Sequence, residues 1–229
     1  MNLDSPQQSV LVALDVPTRE RALELAGQLG SHVGGLKIGL ELFCACGPQI
    51  VEEIGPQRVF LDLKFHDIPN TVAAASRVAA RLGVYIFNVH CLGGLEMMRA
   101  AADAARETNP NVKVIGVTIL TSHDGDSLRK IGLSETPDQA VPRLASLAQE
   151  AGLDGVVCSA REIAPVRAAC GDDFLLVTPG IRPANSERGD QKRVLTPREA
   201  LHAGANYLVV GRPITGAADP VQAAQTLFD

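Results

Sequence analysis

The sequence predicts an α/β chain folded as a (β/α)₈ TIM barrel in a single domain. Two observations carry this. Short β-branched runs alternate strictly with longer alanine-rich amphipathic segments, eight of each. That order demands parallel strands joined by crossover helices. The chain length of 229 residues suits eight such units, whereas a doubly wound open sheet normally holds fewer strands. No Gly-x-Gly-x-x-Gly follows the first strand, so the main dinucleotide signal is missing.

The strands are expected at residues 10–15, 35–39, 58–64, 84–90, 112–118, 154–159, 174–178 and 206–211. Helices are expected near 18–30, 40–54, 70–82, 94–107, 137–151, 161–170, 196–203 and 217–227. Several begin with suitable caps. Thr18 precedes an amphipathic run, and Thr136-Pro137 and Thr196-Pro197 each place a hydroxyl before a proline in the first helical position. Residues 1–8 read as a short loose arm with neither the basic nor the apolar region of a signal peptide. Two long loops follow strands five and seven, at 119–135 and 179–195. Long loops inside a compact domain are usually functional, and both fall on the face where barrels keep their active sites.

Composition narrows the function. Hydrophobic residues make up 46% and aromatics only 3%, with no Trp, so the core must be aliphatic. Stacking of nucleobases on aromatic rings is disfavoured as a binding mode. A net charge of −5 argues against a nucleic-acid surface but leaves room for a small anionic ligand. No apolar run is long enough for a transmembrane helix. The five cysteines, Cys44, Cys46, Cys91, Cys158 and Cys170, form no regular framework, which suggests reduced thiols in a cytoplasmic protein.

The segment Phe60-Leu61-Asp62-Leu63-Lys64-Phe65-His66-Asp67 sets charges where hydrocarbon is expected. Alternate strand residues of a barrel point inward. Asp62 and Lys64 therefore share one face at the barrel mouth, and Leu61 and Leu63 face the helices. Asp15 ends the first strand and Lys37 lies near the end of the second. Asp15, Lys37, Asp62 and Lys64 should converge at one rim, with Asp67 following in the loop. The alternative is an ion-pair network that merely closes the barrel end. Charges are costly to bury unless paired, and such clusters tend to mark sites. A lysine between carboxylates stays protonated. It can donate a proton and offset a developing carbanion. Asp62 would repel a substrate carboxylate, which gains by leaving as neutral CO₂.

A second group lies at the chain's other end. Gly211-Arg212 closes strand eight, and Gly180-Ile181-Arg182 follows strand seven. Barrels often bind phosphate in these two loops. Arg182, Gln191, Gly211 and Arg212 fit a phosphomonoester clamp, and residues 184–193 read as a lid that closes on it. Thr121 and Ser122, after strand five, are placed to hydrogen-bond a polar ring or to cap the loop. His66 and His90 are better suited to supporting hydrogen bonds than to a metal.

The motifs LDV, LKIG, LDLKFHDIPNT, PGIRP and VVGRPIT, in this order within about residues 10–228, resemble those of the bacterial orotidine 5′-phosphate decarboxylases. The resemblance implies conversion of orotidine 5′-monophosphate to UMP and CO₂, the last step of UMP synthesis, with no metal or organic cofactor. Lys64 would protonate C6 of the pyrimidine. Lys37, Asp62, Lys64 and Asp67 would form the catalytic charge network. Asp15 and Lys37 would contact the ribose, and Thr121 and Ser122 the pyrimidine edge. Arg182, Gln191, Gly211 and Arg212 would hold the phosphate and the closed lid. The family forms homodimers, so Asp67 and Thr71 would reach the neighbouring site and make each site composite. Related phosphosugar enzymes share the Asp-x-Lys-x-x-Asp core but normally need a divalent ion.

Overall fold

Each strand's inward and outward faces are set by a two-residue period, and that period builds the barrel. A computed structural model describes residues 5–181 and 195–229. The strands are β1 (Val10–Ala13), β2 (Gly35–Gly39), β3 (Val59–Phe65), β4 (Ile86–His90), β5 (Lys113–Val117), β6 (Gly155–Val157), β7 (Leu175–Thr178) and β8 (Tyr207–Val210). They pair in parallel and in chain order, and β1 closes on β8 with Leu11 opposite Val209. The expected (β/α)₈ barrel is the observed one.

The two faces of the strands bury different layers. Leu11, Phe60, Ile86, Ile115, Val177 and Tyr207 meet inside the barrel. Their sequence neighbours, including Val10, Val12, Leu61 and Phe87, pack outward beneath the helices with Leu25, Met98, Leu144 and Val166. Leu63 and Phe65 pack on the same outer layer. A mainly aliphatic outer layer, with a few rings such as Phe87, suits a chain with few aromatics.

The helices begin where the cap residues lie. Thr196 Oγ1 accepts from Glu199 N at 3.3 Å, and Glu199 Oε2 accepts from Thr196 N at 2.9 Å. This reciprocal box, with Pro197 next, starts the helix Pro197–His202. The helix expected over 40–54 is two helices, Leu40–Cys46 and Gln49–Ile54. The break is at Gly47-Pro48, where Gly47 takes φ +70°. The loop after β5 holds an unforeseen short helix, Gly125–Lys130, capped by Asp124. Within the expected arm, Pro6–Ser9 forms a 3₁₀ turn, and Gln7 O accepts from Gly34 N at 3.1 Å. Among the described residues, no helix is long and apolar enough to cross a membrane.

Candidate active site

The C-terminal ends of β1, β2 and β3 bring Asp15, Lys37, Asp62 and Lys64 to one cavity of about 430 Å³. The ions alternate. Lys37 Nζ lies 3.1 Å from Asp15 Oδ1 and 3.3 Å from Asp62 Oδ2, and Lys64 Nζ lies 2.6 Å from Asp62 Oδ1. Burial is graded along the row. The Lys37 and Asp62 side chains are 9% and 13% exposed, Lys64 is 31% exposed, and Asp15 at the rim is 59% exposed.

Burial is the largest influence on the Asp62 carboxyl and would raise its pKa. The attraction of Lys37 and Lys64, with hydrogen bonds from Lys64 and Asn88, outweighs it and holds the carboxyl below the usual range. Asp62 is therefore an anion at neutral pH, gripped from both sides. Gly39 makes room for the grip. A Cβ there would lie 3.0 Å from both Asp15 Oδ1 and Lys37 Nζ.

Two features of this corner were not foreseen. Lys64 has φ +52° and, among the described residues, is the sole non-glycine with positive φ. Such a backbone costs on the order of 1–3 kcal/mol and persists only where its surroundings enforce it. Asn88, on β4, is 1% exposed. Its Oδ1 accepts from Lys64 N at 2.8 Å, and its Nδ2 donates to Asp62 Oδ1 at 2.7 Å. The available signal was an amide at an inward position of an apolar strand, two residues after Ile86.

The far wall comes from the last strands. Pro179 and Gly180 follow β7, and Gly211 and Arg212 follow β8; all four line the cavity. A Cβ on Gly211 would meet only Ala13 Cβ, at 3.6 Å, so the space above this backbone is open to the cavity. Thr121 also lines it, while Ser122 is exposed and outside the lining. Arg182, Gln191 and the expected lid over 184–193 lie outside the described residues.

Asp67 and Thr71 do not reach this cavity within one chain. Both are exposed. Asp67 Oδ1 accepts from Ile68 N at 2.6 Å and borders a separate shallow depression with His66, Pro69 and Leu92. His66 and His90 stack, with ring centroids 5.2 Å apart. Burial, then the nearby His66, Lys64 and His123, push His90 down to about 4. A neutral, stacked imidazole suits a packing role. Among the described residues, no group of three or more His, Cys, Asp or Glu is arranged to hold a metal ion. The thiol of Cys158, in the cavity wall, is pushed up to about 12 by burial, so it is no nucleophile at neutral pH.

A barrel with this charge row meets a specific family pattern. The family model described as "Orotidine 5′-phosphate decarboxylase / HUMPS family" matches residues 8–227. The chain belongs to this family. It is 53% identical over 220 residues to an orotidine 5′-phosphate decarboxylase of Nitrosococcus oceani, covering 95% of each chain. It is 52% identical to one of Moorella thermoacetica, covering 96% of this chain and 91% of that one. The crystal structure of an orotidine 5′-phosphate decarboxylase from Lactobacillus acidophilus superposes with a TM-score of 0.85 at 39% identity, over 95% of this chain and 96% of that one. In the terms of this decarboxylase family, the cavity has a charged floor at β1–β3 and a glycine- and arginine-bearing wall at β7–β8.

Proposed function

We propose that the chain is an orotidine 5′-phosphate decarboxylase, converting orotidine 5′-monophosphate to UMP and CO₂ without metal or organic cofactor. The observation that carries this reading is the buried Asp62 carboxylate clamped between Lys37 and Lys64 on the cavity floor. The pyrimidine lies over that floor with its carboxylate against Asp62. As the C6–carboxylate bond breaks, neutral CO₂ leaves and the electron pair stays on C6 as a carbanion, so the negative charge moves away from Asp62. Lys64, paired with Asp62 at 2.6 Å, offsets that negative charge and then delivers its proton to C6. Asp15 and Lys37 hold the ribose, and Thr121 meets the pyrimidine edge. Gly211 and Arg212 hold the phosphate, joined by Arg182 and Gln191.

Enzymes lower barriers by roughly 8–23 kcal/mol, and one lysine does not supply the upper part of that range. Phosphate binding, remote from C6, supplies energy to assemble the closed site.

The working unit in this reading is a homodimer with composite sites. Support comes from the exposure of Asp67 and Thr71 outside their own chain's cavity, beside Ile68, which is 66% exposed, and Leu92, 39% exposed. A second chain covering this apolar edge would take Asp67 into its own site. The cytoplasm is the compartment we assign, since all five cysteines are free thiols.

The test follows the absorbance of orotidine 5′-monophosphate with and without EDTA. Turnover that survives EDTA is expected. Turnover lost with EDTA, or confined to sugar phosphates, would favour the metal-dependent phosphosugar branch of the fold. Mixing inactive Lys64→Ala and Asp67→Ala chains should restore part of the activity through hybrid dimers. No recovery after verified subunit exchange would refute the shared site.

A further inference from the structure

We propose that Asn88 is a positioning residue for the reaction: its amide holds the Lys64 backbone in its left-handed conformation and aims the Asp62 carboxylate. This rests on the decarboxylase reading above. The reason lies in the pairing of β3 with β4. Phe60 faces Ile86 and Leu61 faces Phe87, but the next pair is Phe65 with Val89. Asp62, Leu63 and Lys64 thus stand opposite Asn88 alone. A bulge of this kind breaks the ladder and re-aims side chains. It also leaves buried backbone groups that need other partners.

Asn88 supplies the partner. Its Oδ1 accepts from Lys64 N at 2.8 Å, in place of a ladder carbonyl. Its Nδ2 donates to Asp62 Oδ1 at 2.7 Å, the same oxygen that Lys64 Nζ reaches at 2.6 Å. One side chain therefore ties the backbone of the cation to the head group of the anion. The chemistry fixes which way the amide faces. A backbone N–H requires an acceptor on one side, and an ionised carboxylate requires a donor on the other. Asn88 is 1% exposed, so bulk water does not take over either bond. Within β3, at the bulge, Lys64 holds φ +52°, a backbone that the loss of this bond would free to relax. Its ammonium would then swing away from Asp62.

The experiment measures decarboxylation of orotidine 5′-monophosphate by the wild-type dimer, Asn88→Ala and Asn88→Asp over the acid to neutral range. Folding of each is checked by circular dichroism and activity is expressed per folded chain. Asn88→Ala is expected to lower kcat by about 100-fold, the scale of a 1 Å misplacement, with KM nearly unchanged. Asn88→Asp keeps the shape and the acceptor. At neutral pH its carboxylate opposes Asp62 and kcat is low. On acidification the new carboxyl takes up a proton and regains a donor, so its kcat relative to wild type rises. Filling space alone would not produce that acid recovery. If Asn88→Ala fails to fold, the isosteric variant decides. A wild-type kcat in Asn88→Ala, or an Asn88→Asp to wild-type ratio that is flat with pH, overturns the proposal. Absence of wild-type turnover instead overturns the underlying reading and takes this one with it.

Discussion

Phe60 and Asp62 point into the same barrel from the same strand, two residues and so about 7 Å apart. Around Phe60 the interior is apolar, closed by Leu11, Ile86, Ile115, Val177 and Tyr207. Below them the Tyr85 and Tyr207 hydroxyls meet at 2.8 Å. The Asp62 carboxylate meets ions and an amide instead: Lys37, Lys64 and Asn88. The pleat treats both layers alike; only residue type separates them. The lower layer holds the barrel closed by removing hydrocarbon from water. The upper layer spends stability on desolvated charge and a left-handed lysine, and it rests on the lower one.

This division is breakable from either side. The largest effect is expected from Lys64→Ala, with kcat falling by about 10⁴-fold, the upper end for a positioned proton donor. Its melting temperature should stay close to wild type, because Lys37 still pairs with Asp62. A mutant with most of its kcat would end the role of Lys64. Leu11→Ala attacks the lower layer. Leu11 is fully buried, and its truncation should cost about 2–5 kcal/mol of stability while leaving kcat per folded chain intact. A selective loss of kcat would show the layers to be one unit.

A pH titration sharpens the boundary. His90 is pushed down to about 4 from 6.5, so the unfolded chain binds its proton first as pH falls. The stability due to a neutral His90 is complete above pH 6.5 and is lost between there and about 4. His90→Asn should flatten the melting temperature across this window. Asp62, with a lowered pKa, adds stability at neutral pH that is lost only at more acid pH, as its folded form takes up a proton. The smallest effect is expected from Tyr207→Phe. Losing one hydroxyl pair costs about 1 kcal/mol, or about 2–4 °C in a domain of this size.

What the sequence makes legible follows the same line. The period of two places Asp62 and Lys64 together, and opposes Leu61 and Leu63 to them, because each strand is short and its phase unambiguous. Convergence with Asp15 and Lys37 follows from neighbouring strands alone. The bulge is not legible, since nothing in a lysine announces positive φ. Asn88 was hidden for a related reason: one amide in an apolar run is commonplace until its two partners are known. The break at Gly47-Pro48 did carry a signal, a glycine and a proline in series, which the surrounding helical periodicity masked. Asp67 and Thr71 are exposed outside their own chain's cavity, and local pattern does not encode that placement.

The seam between β1 and β8 has a consequence for biosynthesis. Val10–Ala13 leaves the ribosome before the other seven strands, and its partner Tyr207–Val210 leaves after them. Until then one edge of the nascent sheet stays open, a template for pairing with other chains. Gly211 and Arg212 arrive on the heels of that final strand. Sealing the sheet and completing the mouth are therefore one event, and a truncated polypeptide lacks both.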